Sequence, residues 1–221
     1  AYIVMPENAP QVKINAVKGY DAEIIFCEPT LKAREETLAK VQNKYGLTFI
    51  HPYNNFNIIA GQGTAAIELM DEVATLDYLI TPVGGGGLLS GSAIAAKSLK
   101  KNIKVIAGEP LGADDAWQSF TSGKIVPSVN PITIADGLLT SLGTKTFHAI
   151  ASYVDDIVRV SEPQIVTAMR LIWERMKIVV EPSSAVALAV LLEQPDRFKN
   201  KKTGIILSGG NVELSKLPFT S

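Results

Sequence analysis

The chain has 221 residues, 47% of them apolar and 19% charged, with a formal net charge of −1. That balance excludes a disordered or fibrous chain and leaves no basic excess for a nucleic-acid footprint, while the length suffices to bury a core in one or two domains. A single cysteine, Cys27, forms no internal disulfide; within the apolar run AEIIFC it reads as a buried thiol in a reducing compartment, so a cytoplasmic location is expected.

The opening AYIVMPENAP lacks the basic n-region of a signal peptide and reads as a strand met without a preamble, so a further segment upstream is expected. No apolar run reaches the roughly 18 residues needed to span a bilayer, and no membrane partner is expected. After AYIVM come a strand at AEIIFC, a helix over Leu31–Tyr45 and a strand at LTFIHP. A helix over Ile59–Val73 leads to the strand LDYLITPV, a helix over Leu88–Lys100 and the strand IKVIAGEP. DDIVRVS, a helix over Gln164–Met176, a helix over Ser184–Leu192 and the strand KTGIILSGG complete the series.

Apolar strands without polar alternation, separated by helices, predict a parallel sheet covered on both faces, an open α/β fold whose ligands sit beyond the strands' C-terminal ends. The loop chemistry changes near His51 to Gln62, in HPYNNFNIIAGQGT. The expected boundary lies there: residues 1–52 form part of a small domain and residues 53–221 a large one.

Four consecutive glycines, Gly84 to Gly87, lie between the strand LDYLITPV and the helix that begins near Leu88. Backbone N–H groups and the helix dipole converge at such a point, and the missing Cβ atoms allow a phosphate to approach. A sharp turn without a ligand explains one or two glycines more readily than four. A P-loop is excluded, because Gly91 is followed by Ser92 and Ala93 and the first lysine is Lys97. A dinucleotide fingerprint is a near miss: Gly85 and Gly87 fit, Ser90 replaces the third glycine, and Glu109 ends the next strand. A second glycine-bearing strand end, GIILSGGNVEL, brings Ser208, Gly209, Gly210 and Asn211 to the same sheet edge, although Ser208 alone reads equally well as a turn serine. Two such edges imply a ligand with a phosphate and a separate polar ring.

The motifs PVGGGGLLSG, IAGQGT, GEPLGADD, TIADG, WERMKIVVEPSSAVALA and LSGGN stand in this chain in the order found in the pyridoxal-phosphate enzymes of fold type II. The chain resembles the serine racemase and serine/threonine dehydratase family among them, over essentially all 221 residues. The resemblance implies a tryptophan synthase β-like architecture of open, twisted, mostly parallel sheets. It implies that Gly84, Gly85, Gly86 and Gly87 bind the phosphate of pyridoxal 5'-phosphate and that Ser208 hydrogen-bonds to the pyridine nitrogen. A hydroxyl there leaves the nitrogen largely unprotonated and favours deprotonation at Cα and loss of a β-hydroxyl. Gly137, beside Asp136, and Glu181 are implied near the ring, with Asn211 close by.

GEPLGADDA resembles the family's divalent-cation site, with carboxylates from Glu109 and Asp115, the carbonyl of Ala113, and water, a set suited to Mg²⁺, Mn²⁺ or Ca²⁺. The competing reading is that Asp114 or Asp115 caps the helix DDAWQSF. Tyr20, Lys177 and Asn211 fall at or near positions that contact a nucleotide activator, ATP, at the interface of a homodimer; Lys177 near a helix C-terminus is also plain dipole chemistry. His51 and His148 have no triad-like context and read as ordinary residues.

No lysine of this chain stands in an S-x-K-x-R-G-A motif, and the serine- and asparagine-bearing loop that follows it in the family is absent as well. Without the Schiff-base lysine there are no catalytic residues to assign here, and the expected source is a segment or second polypeptide beyond these 221 residues. The activity implied for the parent protein is racemisation, or β-elimination with loss of water and ammonia, on serine, threonine or a related β-hydroxy amino acid. Two alternatives stand beside it: a non-catalytic remnant that binds a phosphate ligand, and an NAD-dependent dehydrogenase using Gly85 to Glu109.

Overall fold

The structure is a computed structural model that describes residues 1–219. It divides into two compact units, one of residues 1–50 with the segment from Asn211 onward, the other of residues 51–210.

In the first unit β1 (Tyr2–Pro6) and β2 (Glu23–Cys27) pair in parallel with Tyr2 opposite Glu23, joined by α1 (Gln11–Gly19). α2 (Leu31–Tyr45) follows; Thr30 caps it by accepting the Ala33 N–H, and Gly46 at φ 64° ends it in the left-handed conformation. The sequence predicts a strand at LTFIHP, but residues 47–52 are not a strand. Phe49 and Ile50 are exposed, and among the described residues the sheet of this unit consists of β1 and β2, which do not take this segment as a third strand.

In the second unit α3 (Phe56–Glu72) leads to β3 (Tyr78–Pro82), α4 (Gly87–Leu99) and β4 (Lys104–Pro110). α5 (Asp115–Ser122) and α6 (Thr144–Tyr153) precede β5 (Asp156–Val160), and α7 (Glu162–Leu171) runs on into a π-helical turn over Ile172–Met176. α8 (Pro182–Glu193), the short α9 (Pro195–Phe198) and β6 (Thr203–Ile205) complete the unit. The sheet order is β5-β4-β3-β6 and every pairing is parallel, so all four strands deliver their C-terminal ends to one edge.

Alternation along β4 assigns the two faces. Val105 and Ala107 join a core with Ala66, Met70, Leu89 and Ala93 of α3 and α4. Gly108 points the other way, where an added Cβ would meet Val186 and Val190 of α8. Helices therefore cover both faces, as the strand pattern predicts. α8 is apolar on nearly every side, with Ala185, Val186, Ala187, Ala189 and Val190 buried, which marks it as an interior helix. α3 and α4 cross closely: a Cβ on Gly91 would stand 2.1 Å from the carbonyl oxygen of Ile59.

Candidate functional site

β3 ends at Pro82, and Val83 with Gly84 to Gly87 turns its buried end into the first turn of α4. Gly86 takes the N-cap position at φ 87°, a conformation that a side chain disfavours. The first N–H groups of α4 have no carbonyl to accept them within the helix and carry the positive end of its dipole, which suits an anion. The Cβ directions of the glycines are filled by protein. Built Cβ atoms would meet Leu138 at Gly84, the Tyr53 ring at Gly85 (2.4 Å), Leu142, Thr146 and Ile150 at Gly86 (2.9 Å each), and Tyr53 again at Gly87. The loop is thus squeezed from three sides, and all four glycines have a packing reason.

Gly84 to Gly87, Tyr53, Gly137 and Ser208 line one pocket of about 240 Å³ at the C-terminal edge of the sheet. The structure therefore brings together the two glycine-bearing strand ends singled out in the sequence. Glu181 stands behind them: its Oε1 would lie 2.5 Å from a Cβ on Gly209 and 3.6 Å from one on Gly137. Asp136 begins the single turn of 3-10 helix over Asp136–Leu138 that carries Gly137. Asn211 belongs to the first unit.

The sequence reading missed the supports of the glycine loop. Thr146 Oγ1 donates to the Gly85 carbonyl (2.8 Å) and accepts the Gly143 N–H (2.9 Å), and Ser90 Oγ donates to the Thr146 carbonyl (3.2 Å). Asn54 Oδ1 accepts the Lys145 N–H (2.8 Å). His51 Nδ1 accepts the N–H groups of Tyr53 (3.3 Å) and Asn54 (3.0 Å), fixing the loop that lays the Tyr53 ring over Gly85. The polar run HPYNN between two elements is the signal for these contacts.

Glu109, at the end of β4, is 1% exposed, and its two carboxylate oxygens accept the N–H groups of Ala116 and Trp117 at 2.8 Å each. Glu109 is thus the cap of α5, whereas Asp114 in the N-cap position makes no side-chain cap. Burial pushes the Glu109 carboxyl up to about 8 despite those two bonds, with Asp115 and Asp114 adding repulsion. Burial likewise raises Asp115 to about 6, opposed mainly by a hydrogen bond with Ser128. Asp115 Oδ2 is buried with no hydrogen-bond partner among the described residues. Ala113 is buried in the turn between the two acids.

The same geometry overturns the dinucleotide reading. A ribose-binding acid must face the ligand held by the glycine loop, and Glu109, 1% exposed and turned onto α5, does not line that pocket. His148 lies exposed on α6. Tyr20 is 82% exposed at the end of α1 in the first unit, and Lys177 sits at φ 60° just after the π-helical turn in the second. Cys27 is buried. Among the described residues no helix is long and apolar enough to cross a membrane.

A parallel α/β sheet carries at its C-terminal edge a pocket lined by a glycine-cradled helix N-terminus and by Ser208 beyond the neighbouring strand. The family model described as pyridoxal-phosphate dependent enzyme matches residues 1–209, and the chain belongs to that family. It is 53% identical to the serine racemase of Dictyostelium discoideum over 220 residues, covering 98% of this chain and 68% of that protein. It is 48% identical to the beta-hydroxyaspartate dehydratase of Paracoccus denitrificans over 217 residues, covering 98% and 69%. The structure of maize serine racemase superposes with a TM-score of 0.93 at 42% identity, covering 97% of this chain and 67% of that one. The chain thus lies in the serine racemase and hydroxy-amino-acid dehydratase branch of the family and spans about two-thirds of the length of these relatives.

Proposed function

We propose that this chain is the cofactor-holding part of an enzyme that racemises serine, threonine or a related β-hydroxy amino acid, or eliminates its β-hydroxyl to leave a 2-oxo acid and ammonia. The observation that carries the reading is the pocket lined together by the N-terminus of α4, with Gly84 to Gly87, and by Ser208 and Gly137. These residues fit pyridoxal 5'-phosphate: free helix N–H groups for the phosphate at one end and a neutral hydroxyl for the ring nitrogen at the other. Bound there, pyridoxal phosphate supplies an electron sink for the pair left on Cα when its proton departs.

The chain's own residues bind and orient. Tyr53 closes one side of the glycine loop, Gly137 forms part of the pocket lining, and Glu181 lies against Gly137 and Gly209. Ser208, a hydroxyl rather than a carboxylate, leaves the ring nitrogen without a charged partner, which restricts the chemistry to the mildest steps at Cα and Cβ. The Schiff-base lysine is assigned to a segment or polypeptide outside these 221 residues. Asn211 completes the proposed cofactor set.

Glu109, Asp115 and the Ala113 carbonyl are proposed to hold a divalent cation, Mg²⁺ in the first place. Two buried carboxyls with raised proton affinity, one of them with an orphan oxygen, form a hard donor set that such a cation satisfies. Among the described residues no group of three or more His, Cys, Asp or Glu is placed to hold a metal, so backbone oxygen and water complete the shell. Tyr20, Lys177 and Asn211 are proposed as contacts for ATP in a homodimer.

The test is a titration of the chain with 4'-deoxypyridoxine 5'-phosphate, read by ring fluorescence. This ester has no aldehyde and therefore does not attach to surface lysines. Saturable binding that pyridoxal phosphate displaces is expected, lost in Gly86→Val; no saturable binding overturns the reading.

A further inference from the structure

The N-terminal turn of α8 holds two hydroxyls in an otherwise apolar interior helix. Ser183 is 3% exposed and Ser184 0%. Ser183 Oγ accepts the Gly137 N–H and Ser184 Oγ accepts the Ser208 N–H, each at 2.9 Å. Alanine in both places would preserve the helix and raise its propensity. What the hydroxyls add is a pair of acceptors at fixed height, one for each of the two loops that face the ring end of the pocket.

The register of the sheet shows what the second acceptor does. β6 pairs with β3 through Tyr78 and Thr203, Leu79 and Gly204, and Ile80 and Ile205. The Ile206 N–H still donates to the Ile80 carbonyl at 3.0 Å. In a parallel ladder the next donor on that side is two residues on, at Ser208, and its acceptor would be the carbonyl of Pro82. The Ser208 N–H turns to Ser184 instead. The β3–β6 ladder thereby stops at the level where β3 gives way to the glycine loop, and Pro82 and Ser208 both line the pocket.

We propose that Ser184 is a positioning residue: its hydroxyl diverts the end of β6 from the sheet ladder, holds open the slot that receives the flat ring, and sets where the Ser208 hydroxyl stands. The inference rests on the reading of this pocket as a site for a phosphorylated pyridine ring. Ser184 itself lies behind the wall, fully buried, and acts through Ser208. In its absence the Ser208 N–H is left with the Pro82 carbonyl as the partner that the ladder prescribes, and the slot narrows.

The experiment compares wild type, Ser184→Ala, Ser208→Ala and the double variant in binding 4'-deoxypyridoxine 5'-phosphate, with inorganic phosphate as a competing probe of the phosphate end. Ser184→Ala should weaken the ring ester about tenfold, the scale of one hydrogen bond lost from a buried site, and leave phosphate competition unchanged. The loss in the double variant should be smaller than the sum of the two single losses, because the substitutions share the contact made by the Ser208 hydroxyl. Equal ester affinity in wild type and Ser184→Ala, or additive losses in the double variant, overturns the proposal while leaving the cofactor reading intact. No ester binding by wild type overturns both. A second measurement needs no variant: although the Ser208 side chain is exposed, its amide should be protected from hydrogen exchange, and exchange at the unprotected rate overturns the proposal.

Discussion

Thr146 Oγ1 stands 2.8 Å from the carbonyl oxygen of Gly85, so a residue at the start of α6 holds the centre of the glycine loop from a distance of 61 positions along the chain. The same oxygen accepts the Gly143 N–H, and Thr146 is completely buried. Thr146→Val keeps the shape and removes both bonds, leaving a buried carbonyl and a partly buried N–H unpaired. A loss of about 2 kcal/mol in urea unfolding is expected, with weaker binding of the phosphate ester. Thr146→Ser, which keeps the hydroxyl, should retain most of both; equal losses in the two variants would show that the methyl rather than the hydroxyl matters.

The crossing of α3 and α4 sets where the N-terminus of α4 points. At Gly91 an added Cβ would stand 2.1 Å from the Ile59 carbonyl and 2.5 Å from the Gly63 nitrogen, both main-chain atoms that cannot step aside. Gly91→Ala should cost about 3 kcal/mol by forcing the helices apart. Gly61, on the same helix α3, has nothing within 4 Å of its Cβ position, and Gly61→Ala should instead stabilise by about 0.5–1 kcal/mol. Urea unfolding of the two variants checks the contrast, and like signs would refute it.

The sheet and its binding edge were legible because the signals are local. LDYLITPV followed by four glycines and the helix pattern of LLSGSAIAAKSL places β3, the turn and α4 without any long-range information. LTFIHP carried an equally good strand pattern and failed, because a strand is completed by a neighbour and the sequence does not say whether one is there. α1, with nine residues, was too short to announce itself beside Pro10. Glu109 is legible as an acid at a strand end, but its capping of α5 is not, since it precedes Ala116 by seven residues rather than standing at the N-cap. The glycines read as space for a ligand, and the packing of their Cβ directions against Tyr53, Leu138 and α6 is a second reason for them that the sequence does not show. Ser183 and Ser184 look like ordinary residues of a helix start, and nothing periodic links them to partners 46 and 24 positions away.

His51 joins the folded state as a neutral acceptor. Burial, helped by the Lys145 ammonium, holds it below its ordinary value of 6.5, and protonation of Nδ1 would turn away the Tyr53 and Asn54 N–H groups. The unfolded chain takes up the proton first, so His51 favours the folded state above about pH 6.5 and that contribution is lost as the pH falls below it. His51→Asn offers an uncharged acceptor in nearly the same place. The stability of wild type relative to this variant should therefore decline on acidification, measured by thermal unfolding in parallel buffers; a difference independent of pH would show that His51 does not titrate in this role.

Glu109 has the opposite sign. Between its ordinary value of 4.5 and the buried value of about 8, the folded chain keeps a proton that the unfolded chain has released. Stability of the metal-free protein should therefore fall as the pH rises through that window, and Asp115, raised to about 6, adds to the fall in its lower part. Glu109→Gln cannot ionise and still presents an oxygen to one of the two N–H groups of α5, so its melting temperature should be flatter with pH than that of wild type. A divalent cation binds the ionised pair and is linked to the same equilibrium. Added Mg²⁺ should raise the wild-type melting temperature more at about pH 8 than at about pH 6, and should do little for Glu109→Gln. An equal Mg²⁺ effect at both pH values, or one that survives Glu109→Gln, would remove Glu109 from the cation site and leave it as the cap of α5 alone.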